Sequence, residues 1–176
     1  MGCSNSNSVD VKERKFSIPS SSSSFISVIN KPDKDEYIIK LHNYYRKKHG
    51  CPDLIGDSEL NEMATEYAQQ LIESKTPIFS SHTYKGQALG ENIFKSNQKI
   101  IIENICKEWY EEYNNYNYNL NKFQKGTNHF TQLIWKDSTL IGFGLSSNEN
   151  TFYLVVYYFP AGNIFGEFDK NVPKKK

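Results

Sequence analysis

Long apolar runs are missing from this chain of 176 residues, and none approaches the roughly 20 consecutive apolar residues that a membrane-crossing helix requires. Residues 1–8 are small and polar with no apolar centre, so no secretory leader is expected there. Cysteine is scarce, at Cys3, Cys51 and Cys106. An odd number without framework spacing argues for a reducing compartment over a disulfide-stapled, secreted domain. Cys51 and Cys106 read as small buried hydrophobes. Charge of one sign is lacking as well: 21 basic residues face 20 acidic ones, a net +1, which removes any long-range pull towards nucleic acid or an acidic substrate. Histidine is limited to His42, His49, His82 and His129, so any imidazole chemistry must come from these four.

What is present is an ordinary globular balance, 38% hydrophobic and 23% charged, with an aromatic share of 14%. That length supports one domain with a real core and not two. Tyr and Phe at this level suit either a core or a lipid-facing surface. The chain opens Met-Gly-Cys-Ser-Asn-Ser, which satisfies the N-myristoylation pattern at Gly2 and places Cys3 beside it as a second acylation site. One myristoyl chain holds a membrane only marginally, with a constant on the order of 10⁴ M⁻¹, so Cys3 supplies the second signal that stable attachment needs. Lys12, Arg14 and Lys15 add a weak electrostatic supplement. The alternative is an unmodified start. The serine run 20–24 reads as flexible tether, giving an expected division into tether 1–32, domain 33–168 and a basic tail 169–176, whose Lys174, Lys175 and Lys176 are expected to fray.

Within the domain, Asp33 and Glu36 predict the start of a first helix that carries Ile38, Leu41 and Tyr45 inward and stops at Gly50 and Pro52. Asp57 caps a second, with Leu60, Met63, Ala64, Tyr67, Ala68 and Leu71 forming one apolar stripe. A third is predicted over 98–113, with Ile101, Ile102, Ile105 and Trp109 inward. Two apolar runs, 140–145 and 152–159, flank the turn-rich 146–150 and read as an antiparallel hairpin. The second run has no polar alternation, so it is expected to be covered on both faces. Helices around a central antiparallel sheet make an α/β, three-layer α-β-α sandwich.

Glu112 is the oddest residue, three positions beyond Trp109 and seven beyond Ile105, on the apolar face of the third helix. A carboxylate there must be paired, hydrogen-bonded or protonated, and a histidine is a natural partner. The other reading is a frayed helix end pointing into water, with Glu111 or Tyr113 taking the inward place.

The stretch 128–135, Asn-His-Phe-Thr-Gln-Leu-Ile-Trp, resembles the first signature of the CAP family (cysteine-rich secretory, antigen 5 and pathogenesis-related-1 proteins). The segment 158–163, Tyr-Phe-Pro-Ala-Gly-Asn, resembles the second, and His42-Asn43 with Arg46 and Gly90-Glu91-Asn92 match two further hallmarks in the same order. The acylatable Gly2 is similar to that of the disulfide-poor, Golgi-associated branch. Two departures stand out: Asn128 replaces the usual glycine, and Val156 stands where secreted members carry a disulfide cysteine.

The resemblance implies the CAP fold and a central cleft lined by His82, Glu91, Glu112 and His129. In that setting His82 and His129 are candidates to hold a zinc ion weakly, dependent on metal supply and pH. The alternative is a hydrogen-bonded polar cluster that only ties helices to sheet. Tyr116, Tyr118 and Phe123 are similar to the aromatic loop of sterol-binding members, and either contact lipid or pack on the domain. The expected function is membrane-anchored binding of a sterol or phosphoinositide and scaffolding on the cytoplasmic face of endomembranes such as the Golgi, with a homodimer plausible and no nucleic-acid partner. A zinc-assisted hydrolase with Glu91 or Glu112 as general base, and a peptide- or protein-interaction module, are the alternatives. No oxyanion hole or activated nucleophile is legible, which weighs against an enzyme.

Overall fold

The computed structural model describes residues 31–74, 82–99 and 101–176, the side chains of 31–35 excepted. Gly2, Cys3 and the rest of the expected tether up to residue 30 lie outside the described residues, as does the capping pair's Asp33 side chain.

Helix α1 (Lys31–His49) begins two residues ahead of the expected Asp33. It buries Ile38, Leu41 and Tyr45 as its spacing requires, and Gly50 ends it at φ +68°, a conformation a side chain would strain. After strand β1 (Ile55–Gly56), Asp57 caps helix α2 (Ser58–Glu73) by accepting from the Leu60 amide at 3.0 Å. A small hairpin, β2 (Thr83–Tyr84) and β3 (Gln87–Ala88), leads to β4 (Gly90–Ser96).

Helix α3 (Ile102–Glu111) is shorter than predicted and tightens into a 3-10 turn over Glu112–Asn115. Short helix α4 (Asn128–Ile134), the hairpin β5 (Leu140–Ser147) and β6 (Phe152–Phe159), and a last turn α5 (Phe168–Asn171) complete the order.

The sheet runs β1-β5-β6-β4, antiparallel except for the two-residue parallel pairing of β1 with β5. One face of β6 sends Leu154, Val156 and Tyr158 towards α1, α3 and α4, and the other sends Val155 and Tyr157 to α2. That two-sided cover explains its continuous apolar run. Gly142 and Gly144 let α2 lie directly on β5: a Cβ at either would collide with Leu60 or with the Ala64–Thr65 backbone.

Arg46, fully buried, ties α1 to the chain beyond α4 by donating to the carbonyls of Pro52 at 2.8 Å, Leu133 at 3.1 Å, Trp135 at 2.8 Å and Ser138 at 3.0 Å. The tail expected to fray instead packs. Asn171 and Val172 are buried, the Pro173 carbonyl accepts from His49 Nδ1 at 2.7 Å, and the Lys176 amide donates to the Lys48 carbonyl at 2.9 Å. An apolar Val172 and a histidine in need of an acceptor outweigh the solubility of three lysines.

Candidate functional site

Glu112 does point inward, and its environment is a helix end as well as a histidine. One carboxylate oxygen meets His129 Nδ1 at 2.6 Å; the other accepts from the backbone amides of His129 and Phe130, both at 3.0 Å. Those amides belong to the first turn of α4, whose own capping position, Thr127, makes no side-chain cap. Glu112 therefore serves as the missing N-cap from another part of the chain, in the place where a helix favours negative charge. The His129 ring lies parallel to Trp109, 5.6 Å between centroids, so the i to i+3 spacing of Trp109 and Glu112 grips one imidazole by its face and its Nδ1. The side chains remain 29% and 18% exposed, open enough for a ligand to reach.

His82 has a different setting. Its Nδ1 lies 2.7 Å from the Tyr157 hydroxyl, and its ring meets Tyr67 and Tyr157 edge-on at 4.8 and 5.8 Å. Glu91, half-buried, is opposite Tyr157 in the β4–β6 register. The next residue, Asn92, faces the other side of the sheet and donates to the His129 carbonyl at 3.1 Å and the Tyr158 hydroxyl at 3.2 Å. Of the expected tetrad, Glu112 and His129 are in direct contact, and His82 and Glu91 are each placed next to Tyr157.

Among the described residues no group of three or more His, Cys, Asp or Glu side chains is placed to hold a metal ion. The donor set on offer is two imidazoles, each with one ring nitrogen already on an oxygen partner, which is how metal-binding histidines are oriented.

A buried polar chain stands behind His129. His42 Nδ1 donates to the Ile38 carbonyl at 2.9 Å, so its Nε2 accepts from the Tyr158 hydroxyl at 2.8 Å, and Tyr158 accepts in turn from Asn92. Complete burial holds the His42 ring neutral, its pKa pulled down to about 4. The roles of Tyr157, Tyr158 and Asn92 escaped the sequence reading, and the one available signal was the adjacent hydroxyls of Tyr157 and Tyr158 in a largely apolar strand.

Asn128 is the first residue of α4 and has no left-handed backbone, so nothing at this position demands glycine. Its carbonyl accepts from the Asn163 side chain at 3.0 Å, joining the two signature segments.

In the aromatic loop, Tyr116 and Tyr118 take the packing alternative. Tyr116 is buried, edge-on to Tyr118 at 4.8 Å and to Phe130 at 5.8 Å, and Tyr118 is half-buried against the same core. Of the three candidate lipid contacts, Phe123 alone is exposed, at 54%.

Residues 39–159 match the model of the cysteine-rich secretory protein family, CAP. The human Golgi-associated plant pathogenesis-related protein 1 is 36% identical over 143 residues, 79% of this chain and 92% of that protein. The basic form of pathogenesis-related protein 1 from Nicotiana tabacum is 30% identical over 128 residues, 72% and 70% of the two chains. Among solved structures, NaASP2 with Zn2+ superposes with a TM-score of 0.59 at 22% identity, covering 81% of this chain and 85% of that one. Venom allergen-like protein 4 of Schistosoma mansoni gives 0.57 at 23%, covering 81% and 94%. With its helices, sheet order and signature segments placed as described, the chain belongs to the CAP family.

Proposed function

We propose that this protein is a lipid-binding and scaffolding CAP protein, tethered by acyl chains on Gly2 and Cys3 to the cytoplasmic face of endomembranes, the Golgi among them. The observation that carries the reading is similarity to a Golgi-associated human protein across 92% of its length, joined to an acylatable start in this chain. The ligands expected are a sterol or a phosphoinositide, and a homodimer is the expected assembly. A binding role suits the site better than hydrolysis. Glu112 has both oxygens committed to an imidazole and two amides, so it is poorly placed to act as a general base.

Mass spectrometry of native protein tests the tether and the assembly together. It should find myristate on Gly2 and a thioester on Cys3, and Gly2→Ala should move the protein from the membrane pellet to the supernatant. Native protein with a free Gly2 amine that still pellets with membranes would contradict the tether.

His82 and His129 would hold zinc weakly, through imidazoles already oriented by Tyr157 and Glu112. Two protein ligands leave a zinc ion incompletely coordinated, which sets the expected weakness. A CAP structure described with Zn2+ supports the reading. Zinc titration calorimetry should show binding that His129→Ala abolishes, and equal affinity in that variant would remove the proposal.

A further inference from the structure

Of the six exposed large hydrophobic residues among those described, four sit on two loops: Leu120 (38%) and Phe123 (54%) on one, Ile164 (44%) and Phe165 (85%) on the other. The remaining two, Ile55 and Leu145, are on sheet strands. Chance scatter of single apolar residues over a surface is ordinary; this grouping is not.

The loops are built to hold that grouping. Asn117 and Gln124 close the first across its base, the Asn117 amide donating to Gln124 Oε1 and Gln124 Nε2 donating to the Asn117 carbonyl, both at 2.9 Å. Asn121 then joins it to the second, donating to the Gly166 carbonyl at 3.0 Å and accepting from the Asp169 amide at 3.2 Å. Behind the first loop, Tyr116 locks onto Phe130 and Tyr118 packs edge-on against Tyr116. Phe123 and Phe165 are thus turned outward on an anchored frame.

Charge adds to the pattern. Residues 113–127 include Lys122 and Lys125 and no acidic residue; 160–166 are uncharged, and the exposed Glu167 and Asp169 follow at the start of α5. Both lysines are exposed. Phe123 between two lysines, beside an uncharged second tip that carries Ile164 and Phe165, matches the interface of an anionic bilayer, where rings enter the headgroup boundary and amines meet lipid phosphates. We propose that these two loops form one tip that dips into the surface of an anionic membrane, orienting the domain on it. The proposal deepens the tethered reading and rests on it for the membrane involved. The contact surface moves from the Tyr116 and Tyr118 rings to Phe123, Leu120, Ile164 and Phe165.

Full-length protein made without acylation isolates the tip from the tether. In co-sedimentation with vesicles of phosphatidylcholine and phosphatidylserine, the unacylated chain should bind, and bind less to phosphatidylcholine alone. The double variant Phe123→Ser with Phe165→Ser should lose about tenfold in vesicle affinity. Lys122→Glu with Lys125→Glu should lose the preference for phosphatidylserine, and Ile55→Ser, an exposed apolar residue elsewhere, should change nothing. Equal vesicle binding by wild type and the double Phe variant overturns the proposal. So does no vesicle binding by the unacylated wild type. A double variant that turns a dimer into a monomer on size exclusion, with vesicle binding unchanged, also overturns it, because the occupant is then a second copy. Failure of the tether itself is read separately, from Gly2→Ala in the acylated chain.

Discussion

The corner around Glu112 and His129 and the tip formed by 120–123 with 164–166 make opposite use of their side chains. At the corner, charged and polar groups are spent on one another: a carboxylate on two amides and an imidazole, that imidazole on a tryptophan face, and its carbonyl on Asn92. At the tip, polar groups hold the backbone, while four apolar side chains are left in water. The contrast teaches that residues which look most chemical in a sequence can be the ones the fold consumes. Surface available for a partner can come instead from residues with no chemistry beyond their area.

The largest effect expected at a consumed group is that of Arg46→Ala. It strands the carbonyls of Pro52, Leu133, Trp135 and Ser138 in the interior and should lower unfolding stability in urea by about 4 kcal/mol. Next comes Glu112→Ala, which uncaps α4 and leaves His129 without its Nδ1 partner, at a cost of about 2 to 3 kcal/mol. Glu112→Gln should cost about half of that, since an amide oxygen still accepts from the two backbone amides. Equal stability of wild type and Glu112→Ala would mean that the corner is not spent on the fold.

Acid should act through the buried histidines. His42 is pulled down to about 4 and His49 is also lowered, chiefly by desolvation in both cases. The unfolded chain therefore takes up protons first as pH falls below the usual imidazole value of about 6.5. Stability is full above about pH 6.5 and declines towards pH 4, with protons taken up on unfolding in that range by His42 and His49. Urea midpoints across that range check the slope, and a midpoint that rises on acidification contradicts the assignment. The smallest effect belongs to the tip: Phe123→Ser with Phe165→Ser should alter stability by no more than about 0.5 kcal/mol, because both rings already face water.

Much of the fold was legible in the sequence, for physical reasons that apply locally. Asp57 and the stripe from Leu60 to Ala68 define α2 through a cap and a period of 3.6, and the unbroken apolar run of β6 announced its two covered faces. Glu112 was legible as an inward carboxylate because Trp109 lies one turn before it. Its role as a cap for α4 was not, since the amides it serves are 17 and 18 positions away and carry no side-chain signature.

Tyr116 and Tyr118 were left between lipid contact and packing because aromatic spacing says nothing about which way a loop folds over its core. The burial of Tyr116 against Phe130, with Tyr118 beside it, is a tertiary fact. Ile164 and Phe165 lie just past the second signature, and their exposure depends on Asn121 reaching across from another loop. The fraying expected of Lys174, Lys175 and Lys176 missed the packing for a similar reason: composition described three lysines, not the His49 ring that takes the Pro173 carbonyl or the Lys48 carbonyl that takes the Lys176 amide.

Hydrogen-exchange mass spectrometry of the acylated, full-length chain, with and without phosphatidylserine-containing vesicles, tests the central contrast most directly. Slowed exchange confined to 118–126 and 163–168, with the amides of His129 and Phe130 equally protected in both states, is the predicted result. Vesicle-induced protection around 82–92 and 128–131, with the two loop tips unchanged, would contradict it and return the polar cleft to the centre of the function.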